Sequence, residues 1–198
     1  MYSTKTIKRS ILLLIFCANV LSISLGADPI SSLDSLNQLL QSARIDTVRQ
    51  SLLVKIIAEL PFENVQTIER HKKELVQISK RIKDYNGISE VYLLIGDKYF
   101  DNGLIDEATA NYSELKTLMS DLEHKEGIAN AIFLMGTLSL EVGAVDDGIH
   151  QMNESLRIYE ELPELSIEKA SVQNYLGIYY RDKGDYKKAK YWLSLIHI

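Results

Sequence analysis

The stretch YLLIGDKYFDNGLIDEATANY, residues 92–112, holds small residues at three places between large apolar ones. The same arrangement returns in IFLMGTLSLEVGAVDDGIHQM (132–152) and in QNYLGIYYRDKGDYKKAKYWL (173–193). The first glycines of the three stretches lie 40 and then 41 residues apart, at Gly96, Gly136 and Gly177. An internal period of this length indicates an array of repeated units.

Each unit carries two more small residues, which follow the first glycine at fixed offsets. They are Gly103, Gly143 and Gly184, and then Ala108, Gly148 and Ala189. The first glycine predicts a close approach of two helices, and the second predicts a helix end, because a left-handed residue after a helix is best served by glycine. The third falls early in a return helix, where its size sets the distance between helices. Apolar residues recur at spacings of three and four, so each unit predicts a helix hairpin, and stacked hairpins bury their apolar faces together.

Two further helices are predicted upstream, over 46–60 and 65–85, separated by PFEN. Pro61 ends the first helix, and Asn64 is placed to cap the second. The pair fits the period but lacks the small residues, as terminal repeats often do. We therefore interpret 28–88 as N-terminal helices and a degenerate capping repeat.

This constellation resembles the tetratricopeptide repeat, whose signature is a large residue, Leu-Gly, an aromatic, a turn glycine, an alanine and a further aromatic. The first unit carries it at Tyr92, Ile95, Gly96, Tyr99, Gly103, Ala108 and Tyr112, and the third at Leu176, Gly177, Tyr180, Gly184, Tyr186 and Ala189. In the second unit Ser139 replaces the aromatic and Gly148 the alanine, so we expect a looser hairpin there.

The long period resembles that of the subgroup with repeats of about 40 residues, against the usual 34. The resemblance implies an all-α fold, a right-handed α-solenoid of antiparallel helix hairpins. The repeats would cover 89–192, as 89–128, 129–169 and a truncated 170–192.

In repeats of this family the first helix of each hairpin lines a concave groove that binds peptides. Carried onto this chain, the groove positions are Asp97, Phe100 and Asp101 in the first unit, Asn130, Phe133 and Thr137 in the second, and Asn174, Ile178 and Arg181 in the third. Further positions at the same offsets are Glu90, Leu93, Leu140, Glu141, Ser171 and Asp182. Leu93, Leu140 and Ile178 could instead pack against the next hairpin. The groove would offer amides to a peptide backbone, apolar side chains to apolar residues and carboxylates to basic ligands.

Residues 1–27 have the pattern of a secretory signal peptide. Three cations without an acid precede an apolar run over 11–25, and small residues follow it. The run is shorter than the roughly 20 residues that span a bilayer, which favours cleavage over a retained anchor. We therefore expect an exported protein, on the periplasmic or extracytoplasmic side of a bacterial inner membrane. Removal of this segment takes the single cysteine, Cys17, and leaves no thiol for a disulfide or a metal.

Charge and motifs argue against nucleic-acid binding and catalysis. The formal charge is −5, and −8 without the three N-terminal cations, whereas proteins that bind nucleic acids cluster Lys and Arg.

The histidines follow no metal or catalytic motif, and we interpret them as surface or groove residues: His71, His124, His150 and His197. We expect no catalytic residue, no cofactor and no metal site. We interpret the glycosylation pattern NES, 153–155, as a coincidence inside a helix.

The last six residues, LSLIHI (193–198), are also the translation of CTGTCTCTTATACACATC, the mosaic end used in transposase-based library preparation. We expect this segment to be wholly or partly adapter read-through, with the natural protein continuing beyond it. The alternative is a genuine C-terminus.

A signal peptide followed by short helices and long-period repeats resembles the extracytoplasmic sensory region of bacterial membrane signalling proteins. In those proteins a transmembrane helix and a histidine kinase or helix-turn-helix regulator follow the array. The resemblance implies a non-catalytic input module for a protein or peptide ligand, with membrane contact only through the signal peptide or a later helix. A free-standing periplasmic scaffold and an appendage of an enzyme remain as alternatives.

Overall fold

The computed structural model describes residues 33–162, 164 and 166–196. The predicted signal peptide and the last two residues of LSLIHI lie outside the described residues. Within this part the chain is all α-helical and contains no strand. No helix of this part is long and apolar enough to cross a membrane.

Nine α-helices follow one another in the described residues, with a short 3-10 turn, Phe62–Asn64, before the third. They are α1 Leu33–Ser42, α2 Asp46–Glu59, α3 Val65–Ile82, α4 Tyr85–Asp101, α5 Ile105–Asp121, α6 Lys125–Val142, α7 Val145–Glu160, α8 Ser166–Asp182 and α9 Tyr186–Ser194.

These helices form two compact units, residues 33–161 and residues 162–196. In the first unit, consecutive helices pack as hairpins α2–α3, α4–α5 and α6–α7, and α1 packs against α2. The hairpins are antiparallel, as the ion pair between Asp46 at the start of α2 and Arg81 at the end of α3 illustrates. Alternate helices also touch, because α2 contacts α4 and α4 contacts α6. The second unit is the hairpin α8–α9.

The apolar core of the first unit runs through all of α1 to α6. Leu53, Ile56, Leu75, Ile88 and Leu115 are completely buried within it. Each such side chain contributes about 1.5–3 kcal/mol when it leaves water. The periodic apolar residues of the sequence therefore supply the cohesion between hairpins.

The first glycine of each predicted unit lies against the residue sixteen positions later, on the return helix of the same hairpin. The pairs are Gly96 with Tyr112, Gly136 with Met152, and Gly177 with Leu193. A Cβ atom on Gly96 would lie 2.6 Å from Tyr112 Oη, and one on Gly177 would lie 2.7 Å from Leu193 Cγ. The predicted close approach of two helices is present in all three hairpins.

The second glycine of each unit ends the first helix of its hairpin in the left-handed conformation. The φ angles of Gly103, Gly143 and Gly184 are 77°, 89° and 80°. The next amide then reaches back to an earlier carbonyl, as Ala144 N does to Ser139 O at 2.8 Å. Helices α3 and α5 end in the same way at Lys83 and Glu123, whose φ angles are 59° and 53°. The residues that end these two helices carry a Cβ, so no glycine in the sequence indicates where the helices end.

The expectation of a looser second hairpin is wrong where its two helices meet at Gly148. A Cβ there would lie 2.6 Å from Leu140 Cγ and 3.0 Å from Leu140 N. Glycine in place of alanine lets α7 approach α6 until the backbone of α6 itself is in reach. The missing methyl group therefore tightens the contact.

Two local predictions at helix starts also differ from the structure. Asn64 occupies the N-cap position of α3, but its side chain makes no capping hydrogen bond, and the 3-10 turn leads into the helix instead. Each hairpin also begins four residues before its predicted repeat boundary, at Tyr85, Lys125 and Ser166.

Candidate functional site

On α4, the predicted groove residues lie at the edge of the core. Asp97 and Phe100 are half-buried and Asp101 is exposed. The Tyr112 hydroxyl donates to Asp97 Oδ1 at 3.4 Å, and Phe100 packs against the apolar core. Earlier on the same helix, burial raises the pKa of the half-buried Glu90. This face of α4 combines carboxylates with part of an aromatic ring.

On α6, two of the three predicted groove residues are buried. Asn130 is 3% exposed, and its Oδ1 accepts a hydrogen bond of 2.6 Å from the Tyr159 hydroxyl of α7. Phe133 is 5% exposed. Their predicted role as open groove residues is therefore contradicted, because α7 uses the Asn130 amide to satisfy a buried tyrosine. Thr137 is half-buried, and its hydroxyl donates to Leu134 O at 2.7 Å.

The third predicted set lies on α8, in the second unit. Asn174 and Ile178 are half-buried, and Arg181 is exposed and paired with Asp182 at 3.0 Å. Within the first unit, the sets on α4 and α6 lie on helices that are in contact.

Two of the residues for which a packing role stayed open belong to the interior. Leu93 is 7% exposed and lies in the core of the first unit. Leu140 is 4% exposed and packs against Gly148. Both side chains are therefore packed in the interior, and the contact of Leu140 with Gly148 lies within its own hairpin, α6–α7.

A buried lysine joins α3, α4 and α5 through a network that the sequence analysis missed. Lys72 is 5% exposed, and its Nζ lies 2.9 Å from Glu69 Oε2 and 3.0 Å from Glu114 Oε2. The Tyr92 hydroxyl donates to the second oxygen of Glu114 at 2.7 Å, and its ring lies under the lysine, with Nζ 4.9 Å from the ring centroid. Residues 42 positions apart give no spacing signal for such a pair.

The electrostatics of this network favour a structural role, in which the charged groups hold α3, α4 and α5 together. Burial opposes ionisation of Glu114, but the hydrogen bonds from Tyr92 and Lys72 outweigh it and hold the Glu114 pKa below its ordinary value. Burial raises the pKa of Tyr92, which keeps the hydroxyl protonated as a donor. The lysine is engaged by two carboxylates and a ring, so it is not placed to act on a substrate.

A second lysine, Lys98, donates hydrogen bonds to backbone carbonyls at the C-terminal end of α2. Lys98 Nζ donates to Ala58 O at 3.0 Å and to Leu60 O at 2.9 Å, and burial lowers its pKa. A cavity of about 10 Å³ lies beside it, lined by Phe62, Val65, Ile68, Ile95 and Tyr99. That volume holds about one water molecule, so this cavity has no room for a small-molecule ligand.

Two histidines have structural surroundings that differ from the predicted surface or groove position. His71 is 7% exposed, and its Nδ1 has no hydrogen-bond partner. Burial, and then the charge of Arg70, lower the His71 pKa. His124 is half-buried and caps α6, because its Nδ1 accepts from Gly127 N at 3.0 Å. The described His150 is exposed, as interpreted.

The His124 cap has a counterpart one repeat earlier. The Asp84 carboxylate accepts from Gly87 N at 3.1 Å and caps α4 in the same way. A cap residue followed three positions later by glycine thus recurs after 40 residues. This spacing is visible in the sequence and indicates the cap at both helix starts.

No group of three or more His, Cys, Asp or Glu side chains that could hold a metal ion occurs within 33–162, 164 and 166–196. The NES pattern lies inside α7, and Ser155 is completely buried and donates to Ala129 O at 2.9 Å. Its hydroxyl is therefore committed to the contact between α6 and α7.

Comparison with known proteins defines the fold and no more. No protein-family model matches the chain, and no curated protein matches it. Among solved structures, the crystal structure of BtubC (BKLC) from P. vanneervenii is similar, with a TM-score of 0.54 and 15% sequence identity. The likeness covers 82% of this chain and 69% of that chain. Identity at this level shows the fold alone, and it supports an all-α architecture.

Proposed function

We propose that this chain is a non-catalytic module that binds a protein or peptide through an array of tetratricopeptide-like hairpins, arranged as a right-handed solenoid. The observation that supports it most is the repeated helix contact. Each first glycine meets the residue sixteen positions later, and α2, α4 and α6 touch in succession. Arrays of this kind present the first helices of their hairpins along one extended surface.

Within this proposal, the binding face is formed by α4 and α6. Its members are Asp97, Phe100, Asp101 and Thr137, which are half-buried or exposed, while Asn130 and Phe133 serve as the support beneath. Carboxylates beside an aromatic ring suit a segment that carries Lys or Arg next to an apolar residue. We therefore propose a basic-apolar peptide segment as the ligand.

Selection of ligands from a random peptide library tests this proposal. Peptides that bind the immobilised chain are sequenced, and their affinity is measured by calorimetry. We expect Lys or Arg beside an apolar residue, and about tenfold weaker binding to the double variant Asp97→Ala and Asp101→Ala, about 1.4 kcal/mol. The matched control is Asp146→Ala with Asp147→Ala, which removes two exposed acids from the start of α7.

Two results would refute the proposed face. Selected peptides that bind both double variants with wild-type affinity would place the ligand elsewhere. A library that yields no binder would remove the support for a peptide-binding role.

We also propose that the module is exported and forms the input region of a membrane signalling protein. The supporting feature is the sequence pattern of 1–27, and a fusion of that segment to alkaline phosphatase tests it, because the enzyme is active only after export. The sequence of the genomic locus past Tyr191 distinguishes the alternatives. Further repeats, an apolar span and an output domain would support the sensor, a stop after a polar helix would favour a free-standing scaffold, and convergent titratable residues would favour an enzyme appendage.

A further inference from the structure

The turn between α5 and α6 is held by a hydrogen bond to a neutral histidine ring. His124 has φ −96° and ψ 90°, its carbonyl accepts from Ile128 N at 3.0 Å, and its Nδ1 accepts from Gly127 N at 3.0 Å. A ring nitrogen accepts a hydrogen bond only while it carries no proton, so the ring must be neutral with its proton on Nε2. A protonated ring is a donor at both nitrogens and cannot form this cap.

The equivalent turn of the preceding hairpin uses a group that behaves differently with pH. There Asp84 accepts from Gly87 N at 3.1 Å, in the same geometry and 40 residues earlier. A carboxyl group keeps an acceptor oxygen whether or not it is protonated, whereas the imidazole Nδ1 loses its lone pair when it binds a proton. The two equivalent turns therefore differ in whether proton uptake removes the acceptor of the cap.

The surroundings of His124 keep the ring neutral and in place. The centroids of the Tyr85 ring of α4 and the His124 ring lie 4.8 Å apart. Met119 of α5 packs against Gly127, because a Cβ atom on this glycine would lie 2.6 Å from Met119 Cγ. Burial lowers the pKa of His124.

The charged residues next to the cap lie in the α5–α6 turn, in the first turn of α6 and at the end of α7. Glu123 is exposed, Glu126 is half-buried, and Lys125 pairs with Glu161 of the α7 end at 2.7 Å. A positive charge at the start of α6 also opposes the helix dipole. Protonation therefore removes an acceptor and adds an unfavourable charge at the same atom.

We propose that His124 is an acid-sensitive clasp of the α5–α6 turn, whose protonation at Nδ1 breaks the bond to Gly127 and releases the first turn of α6. Because the group binds its proton less readily in the folded chain, the clasp contributes fully above about pH 6.5, the unfolded value, and is lost as the pH falls through the lower folded value. The clasp acts whether or not the chain binds a peptide.

Nuclear magnetic resonance of the full chain between pH 8 and pH 5 tests the clasp directly. The ring nitrogens of His124 and the amide of Gly127 are followed together, and amide protection is corrected for the intrinsic exchange rate. We expect one common midpoint below 6.5 and about a tenfold loss of protection at Gly127. A local readout is needed because the buried His71 adds its own pH dependence to global stability.

Two variants complete the test. His124→Asp installs the cap that Asp84 provides, so the Gly127 amide should stay protected down to pH 5. His150→Asp, the same change at an exposed residue of α7, should leave the wild-type titration of Gly127 in place. A Gly127 amide that does not respond while the His124 ring titrates, or that responds equally in His124→Asp, would overturn the proposal.

Discussion

Replacing Gly148 with alanine is expected to destabilise the α6–α7 hairpin, although the repeat pattern favours alanine at this position. Ala108 and Ala189 occupy the equivalent places, and alanine is better than glycine in a helix by about 1 kcal/mol. In the structure, however, the added Cβ would lie 2.6 Å from Leu140 Cγ and 3.0 Å from Leu140 N. Ordinary carbon contacts are about 3.5–4.0 Å long, so α6 or α7 must shift by roughly 1 Å.

The size of the effect follows from these opposing contributions. Overpacking of a core typically costs about 1–3 kcal/mol, because Leu140 Cγ and the backbone nitrogen are not flexible ends that move aside. Subtracting the gain in helix propensity leaves a net loss of about 1 kcal/mol in the free energy of unfolding. For a chain of this size the melting temperature should fall by about 3 °C. Urea unfolding followed by circular dichroism at 222 nm measures the change, with an unaltered denaturant slope.

Two comparisons isolate the contact with Leu140. Gly136→Ala should be close to neutral, because its Cβ would lie no closer than 3.3 Å to Gln151, Gly148 and Met152, and the helix gains propensity. In a Leu140→Ala background the contact with Cγ is gone and only the 3.0 Å approach to the backbone nitrogen remains, so Gly148→Ala should cost about 1 kcal/mol less than in the wild-type background. Stabilisation by Gly148→Ala in the wild-type background, or an equal effect in both backgrounds, would refute the reasoning.

The remaining predictions concern helix ends and the buried network. Gly143→Ala should lower the free energy of unfolding by about 1 kcal/mol, because φ at this position is 89°. Glu123→Gly should raise it by up to about 1 kcal/mol, because glycine removes the Cβ from a left-handed residue. Urea unfolding measures both changes. Lys72→Met should lower it by about 1–2 kcal/mol, since two carboxylates lose their cation but retain access to water. The lowered pKa of Glu114 stabilises the fold above about pH 4, and this contribution disappears as the pH falls further. Tyr92→Phe removes one of the hydrogen bonds that lower this pKa. The free energy of unfolding should therefore depend less on pH in the acid range in this variant than in the wild type.

Local signals in the sequence predicted the hairpins because the physics that sets them is local. A left-handed residue after a helix involves only the last turn, so Gly103, Gly143 and Gly184 could be read directly. The stops at Lys83 and Glu123 use the same geometry without glycine, so no residue type at these positions indicates the end of a helix.

The candidate site was predicted less well, because exposure depends on which neighbour covers a side chain. The positions on α4 remain half-buried or exposed, but Asn130 is covered through a tyrosine 29 residues further along the chain. The pairing of Lys72 with Glu114 and the burial of His71 are equally non-local. Helical periodicity identifies an apolar face and does not show which polar residues at its margin the next helix will enclose.

The amino-acid sequence by itself thus determined the helical class, the 40-residue spacing of hairpins and the glycines at which helices end or approach. Only the tertiary structure decided which of the repeated positions are open. It made Gly148 a point of tight contact, Asn130 a buried acceptor and His124 a helix cap. The physical reason is that hydrogen bonding within a turn is set by adjacent residues, whereas packing is set by side chains that meet from different helices.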